Sequence, residues 1–316
     1  MEIEQQYNSD HRNGDQPPMY SEKFQNEEFN WNFFFAERFL RSNNLIFASV
    51  DDFYKHRSAE KAKDEESDCS IEQLQQSGKA MPVLNVTYGH VTKAFVGCYL
   101  KAYICTRPKM GNKFNKDVDK SLFCKVKYTF TWQFKCHIFN FSPDCTDKSK
   151  DFEIVMITHK RKGISDFVYK GEKYRWLRNS DFMKGKDKWA HTLQKLSEGM
   201  LSMVDEFDNH NKPKVRSEFK DTFFKSLLPN LSKTNPRYLS NQIVGEVSDI
   251  REFSFVWNDV STRFSYSCDI FNHELGGSIP EVPLDAVVFL CMAAVFKKIE
   301  RDREEREEAL SRMKQY

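Results

Sequence analysis

LDAVVFLCMAAVF, residues 284–296, decides the fold of this chain. Every residue in it is apolar except Asp285. A helix with no polar face has to be buried on all sides. At about 1.5 Å per residue the stretch reaches about 20 Å. A membrane span needs about 20 apolar residues, so the stretch is short for that role. A helix wrapped by protein is the expected answer. The tail that follows, KKIERDREEREEALSRMKQY, is charged almost throughout. It pairs opposite charges at helical spacing, as in Arg301–Glu305 and Glu308–Arg312, each worth a few tenths of a kcal/mol. Residues 301–316 are therefore expected to form a solvated helical tail, with pairing against another helix as the alternative.

Upstream, the pattern is that of strands. In CKVKYTFTWQFKCHI, residues 124–138, Val126, Tyr128, Phe130, Trp132, Phe134, Cys136 and Ile138 alternate with Lys125, Lys127, Thr129, Thr131, Gln133, Lys135 and His137. Period-2 alternation marks a sheet with one buried and one wet face. It predicts one long bent strand or two joined by a bulge, with His137 on the wet face. Further strands are expected at 81–86, 94–106, 152–159, 166–169, 173–178, 241–247, 253–257 and 263–271. Trp189, Leu193, Leu196, Met200, Met203, Val204 and Phe207 sit at helical spacing and predict a helix over 189–207. Many antiparallel strands and no strand–helix–strand rhythm indicate a mainly β class. An open sheet covers one stripe of an all-apolar helix, whereas a closed sheet can surround it. The expected architecture is a closed antiparallel β-barrel threaded by the C-terminal hydrophobic helix.

The boundaries follow from composition. Residues 1–28 are polar and acidic, and read as a disordered N-terminus. Residues 29–80 read as an aromatic arm, FNWNFFFAERFL at 29–40, followed by a charged linker. The barrel domain is expected over 81–300. The chain has 316 residues and a net charge of +2, which hides an asymmetry. Residues 1–80 carry 9 Lys and Arg against 16 Asp and Glu, and residues 81–316 carry 39 against 30. A mildly basic folded part fits an anionic partner without requiring one. The eight cysteines show no CxxC spacing, and no basic-then-apolar leader is visible. Reduced thiols in a cytoplasmic protein, membrane-peripheral or nuclear, are the expectation.

The layout of VKYTFTWQF, DFVYKGEKYRWLR, FSFVWN, RFSYSCDIF and LDAVVFLCMAAVF resembles the tubby C-terminal-like superfamily. That superfamily includes the LURP-one-related proteins and the phospholipid scramblases. The resemblance covers roughly residues 81–300 and rests on layout rather than on an invariant motif. It implies a barrel of about twelve strands around a hydrophobic helix. It further implies phosphoinositide binding or regulation at a membrane surface. No calcium loop or palmitoylation cluster of the scramblase type is visible, so scrambling is not implied. No family binding residue maps here position by position.

The candidate site is a basic cluster. Lys160, Arg161, Lys162, Lys170, Lys173 and Arg175, with Arg178 beside them, face only Asp166 and Glu172 in sequence. Gathered at one rim, such cations bind phosphate through charge-assisted hydrogen bonds. A solvated strand edge is the other reading. A second basic stretch, 93–127, concentrates its charge in RPKMGNKFNKDVDK, residues 107–120, and carries the same two readings. Catalytic motifs, metal-ligand spacings and nucleic-acid motifs are missing from the chain. The expected function is therefore non-enzymatic, without cofactor or metal. Peripheral binding to anionic phospholipid is the first reading. A protein-interaction module acting through residues 29–40 or the charged tail is the alternative.

Overall fold

A computed structural model describes residues 31–37, 43–61, 69–89, 98–130, 134–159, 163–178, 189–200, 202–205, 242–250, 260–267 and 282–313. Its strands are β1 (Trp31–Glu37), β2 (Asn43–Phe47), β3 (Leu84–Tyr88), β4 (Leu100–Cys105), β5 (Lys120–Phe130) and β6 (Phe134–Phe141). They continue with β7 (Phe152–His159), β8 (Ile164–Tyr169), β9 (Glu172–Arg178), β10 (Ala190–Lys195), β11 (Gln242–Asp249) and β12 (Val260–Tyr266). Helices α1 (Val50–Lys61) and α2 (Cys69–Gln76) lie between β2 and β3, and α3 (Leu284–Met313) ends the described chain. Each strand pairs antiparallel with its sequence neighbour, and β12 returns to β1, closing the barrel. Closure leaves no edge strand to guard.

Helix α3 runs through the middle. Its residues from Leu284 to Lys298 are all buried. The core cluster around it draws on every strand, from Phe33 and Ile46 through Phe139, Phe167 and Trp176 to Leu193, Val247 and Phe264. The all-round apolar character of 284–296 is thus met by an all-round wall. Phe289 shows how tight the wall is: its ring meets Phe167, Tyr169, Tyr174 and Tyr266 at centroid distances of 5.2–6.0 Å. Beyond Glu300 the helix leaves the barrel, and residues 304–313 are mostly exposed.

Three expectations change. First, the barrel begins at Trp31. The aromatic segment supplies β1, with Phe33 and Phe35 fully buried inside, and residues 43–47 supply β2, so 29–80 is not an arm and linker outside the domain. Helix α1 covers the outer face of these strands, where Phe53 packs with Ala36, Leu45, Phe47 and Val260.

Second, 190–195 is strand β10, bonded to β9 and β11, not part of a helix. Trp189 and Leu193 point inward, but Thr192 and Gln194 on the other face are buried too. Burial on both faces erased the period-2 signal; within the expected helix the described residues are helical only at 203–205.

Third, 124–138 is a hairpin, with Phe130 opposite Lys135. Cys124, Val126 and Tyr128 face inward on β5 as the alternation required. Reversal of the chain switches the inward set on β6 to His137, Phe139 and Phe141. His137 is therefore fully buried rather than on the wet face. Cys136 joins an outer cluster with Ile157, Ile164, Leu177 and Met203.

The expected strand at 253–257 and the expected disordered segment 1–28 lie outside the described residues. The described cysteines, Cys98, Cys105, Cys124, Cys136, Cys145 and Cys291, are free thiols.

Candidate functional site

The barrel has two mouths, and helix α3 gives each a chemistry. At the entry mouth Asp285 sits in the first turn of the helix, where the macrodipole favours an anion. Its carboxylate accepts a 2.7 Å hydrogen bond from the Tyr169 hydroxyl and faces Lys170 Nζ at 3.0 Å. Burial and the bond to Asp285 hold the Tyr169 phenol well above its ordinary pKa. Burial, with the negative charge of Asp285 behind it, pushes Tyr174 up to about 12.

Beside this end of the helix opens a cleft of about 1010 Å³. Its apolar walls come from Ile104, Phe123, Phe152, Ile154 and Leu284. Its lip carries Lys150 and Lys170, the carboxylates of Asp144 and Glu153, and the hydroxyls of Thr106, Ser121 and Ser142. Lys150 lies 3.1 Å from Asp144 and is more than half exposed. Asp144 is held below its ordinary pKa chiefly by the hydroxyl and backbone N–H of Thr146, with Lys150 adding to them. Apolar walls under a polar lip that carries two half-exposed lysines suit an amphiphile with an anionic head.

At the exit mouth the helix turns polar inside the wall. Lys297 Nζ donates to the hydroxyls of Ser261 and Thr262 and lies over the Phe35 ring. Both hydroxyls reach it because the β1–β12 register shifts at Phe35/Ala36 and leaves Ser261 as the extra residue of a bulge. Lys298 bonds Asp302 and lies over Tyr88 and Tyr99. Glu300 gathers Arg178 at 3.0 Å, Arg303 at 3.0 Å and His191 at 3.2 Å. Every carboxylate and cation here is engaged with the protein, and the arrangement locks the helix in its sheath.

The sequence-derived cations do not form one rim. Lys170 stands at the lip of the entry cleft. Lys173 is paired with Asp205 at 2.7 Å. Arg175 is 2% exposed and grips Asp166 with two hydrogen bonds of 2.7 Å. Asp166 also accepts from the Ser202 hydroxyl and the Met203 backbone N–H, so the pair pins residues 202–205 to the outer face of β8 and β9. Buried on Asp166, Arg175 is out of reach of a phosphate in solvent. Arg178 goes to Glu300 at the far mouth. Lys160, Arg161 and Lys162 lie outside the described residues; the ends they join, His159 and Gly163, lie at the opposite end of β8 from Lys170. Sequence reasoning missed Lys150 and the cleft, because residues distant in sequence build them.

Among the described residues no group of His, Cys, Asp and Glu is arranged to hold a metal ion, and no helix is long and apolar enough to cross a membrane. No curated protein and no solved structure matches the chain. A family model described as DIA1 matches residues 28–305, from just before β1 to the part of α3 that has left the barrel. The match spans the whole barrel and its threaded helix, and on it the chain belongs to the DIA1 family.

Proposed function

We propose that this protein is a non-enzymatic barrel of the tubby C-terminal-like type that associates peripherally with anionic phospholipid, on the cytoplasmic side of a membrane. The supporting observation is the entry cleft: apolar walls, with Lys150 and Lys170 on a lip rich in hydroxyls. Both cations are about half exposed. Lys150 and Asp144 form a surface-type pair that a phosphate can displace at small cost, whereas Lys170 faces the buried Asp285 and would reach a phosphate with its exposed side. Of the six cations first singled out, Lys170 is the described one that serves this role. Lys173 does not line the cleft and pairs with Asp205, and Arg175 is buried on Asp166.

Co-sedimentation of the full chain with vesicles tests the proposal. Vesicles containing phosphoinositide should pull down several-fold more protein than neutral phosphatidylcholine vesicles at low salt, with the difference shrinking as salt screens the lip. Lys150→Glu should weaken the anionic binding about five-fold, in line with about 1 kcal/mol per surface cation. Equal recovery on both vesicle types at low salt rules the proposal out.

A further inference from the structure

The loop between β4 and β5 leaves the lip of the same cleft, since Thr106 and Ser121 at its roots line that cleft. It is built as a rigid display. The Asn112 N–H bonds the Lys109 carbonyl at 2.9 Å, closing a tight turn with Met110 and Gly111 at its centre. Gly111 has φ +80, the left-handed value that the third position of a type II turn demands. A Cβ there would meet nothing within 4 Å, so the glycine answers to the backbone and not to crowding.

Below the tip the loop is tied down. The Phe114 N–H bonds Gln75 on α2 at 2.8 Å, the Lys116 carbonyl accepts from Asn85, and Asn115 and Asp119 bond each other's backbone. Held this way, the turn places Met110 93% in solvent, and Val118 in the same loop is 71% exposed. An apolar side chain fixed outward at the end of a braced turn buries nothing in the molecule itself.

Cations outnumber acids around it. Arg107, Lys109 and Lys113 have no ion-pair partner among the described residues, whereas the two acids of the loop are occupied, Asp117 by Lys120 at 3.7 Å and Asp119 by the Asn115 N–H at 2.7 Å. Lys116 is turned away to Glu60. An apolar tip ringed by uncommitted cations complements the interface of an anionic bilayer, where methylene contact and phosphate lie within a few ångströms of each other.

We propose that the 109–112 turn is a membrane-insertion tip: Met110 enters the interface of an anionic bilayer, while Arg107, Lys109 and Lys113 hold lipid phosphates around it. The inference rests on the lipid-binding reading and adds a second contact, which seats the cleft against the membrane.

Vesicle partitioning of the full chain, with phosphatidylcholine doped with phosphatidylserine or phosphoinositide, separates the two. Met110→Asp should lower partitioning about ten-fold, the loss expected from exchanging a buried apolar side chain for a charge. Met110→Leu should retain it. Arg107→Glu with Lys109→Glu and Lys113→Glu should lower it at least about 100-fold, from about five-fold per cation. Arg107, Lys109 and Met110 are exposed, Lys113 is half-buried and none belongs to the core, so thermal unfolding should stay that of the wild type. If both the Met110→Asp and the triple variants partition as the wild type does while Lys150→Glu is weakened, the tip is overturned and the cleft stands. If the wild type ignores anionic vesicles, the tip falls and the lipid reading falls with it, whether or not the protein binds soluble inositol phosphates.

Discussion

At the scale of single residues the sequence misleads where partners are distant. Arg175 looked like one more surface cation, yet it sits 2% exposed on a fully buried Asp166. The pairing was legible in principle. Lys170 and Gly171 both adopt positive φ, at 50 and 79, as a two-residue hairpin turn requires, and that turn sets Asp166 opposite Arg175. A turn placed one residue longer hides it. What sequence could not supply was the cover, Ser202 and Met203, which makes the pair a buried one. Arg175→Ala strands a buried carboxylate and should cost about 3–5 kcal/mol in urea unfolding at neutral pH. Replacing both partners by apolar residues of similar size should cost much less. A loss under about 1 kcal/mol for Arg175→Ala contradicts the assignment. His137 makes the opposite point. Neither ring nitrogen has a partner among the described residues, and burial, with Lys135 a smaller contributor, lowers its pKa to about 3. The titratable side chains against its ring are Tyr99 and Tyr128, both kept neutral by burial that raises their pKa. An unfolded histidine titrates near about 6.5. Between that pH and about 3 the unfolded chain holds the extra proton, so stability drops as pH falls through this window. Denaturant melts of His137→Phe from pH 7 to 4 should show a shallower decline, by up to one proton; an unchanged slope refutes the depressed pKa.

At the scale of elements, burial pattern decided what was legible. Helix α3 was readable because thirteen positions with a single charge leave no surface face, and the structure buries all of them. Strand β5 was readable because one of its faces is wet. Strand β10 was not, because both of its faces are covered, and β1 was not, because its aromatic run gives no alternation. The entry cleft was invisible for a related reason: it joins β4, β5, the β6–β7 connection, β7, β8 and the helix start, and no local window contains it. The helix also carries the sharpest test. Val288 is 0% exposed on a face that points at wall in every direction. Val288→Asp puts an unpaired carboxylate where neither water nor a cation can reach it, at a cost of several kcal/mol. The expected result is loss of cooperative unfolding and recovery of the protein in the insoluble fraction. A soluble Val288→Asp protein with a wild-type melting curve removes the threaded-helix account.

At the scale of the whole molecule, closure makes distant parts of the chain interdependent. Strand β1 pairs with β12 over residues 31–36 and with β2 over 34–37, and β2 reaches β3. The last strand to be made is therefore hydrogen-bonded to the first. A chain beginning at Met81, which composition alone marks as the domain start, lacks both of these strands and α1. It leaves β3 and β12 as open edges and uncovers the side of α3 that Phe33, Phe35 and Ile46 wall off. Lys297 would lose the Phe35 ring and the bulge that aims Ser261 at it. Exposed edges and an apolar helix face together favour aggregation over a smaller barrel. A chain beginning at Phe29 keeps every strand. The two can be compared by size-exclusion chromatography and thermal unfolding. The chain from Phe29 should elute as a discrete species and melt as the full chain does. The chain from Met81 should aggregate or bind a hydrophobic dye without a cooperative transition. A discrete, cooperatively melting protein from Met81 would mean that ten strands suffice to sheathe the helix, and that β1 and β2 are an ornament on a barrel able to close without them.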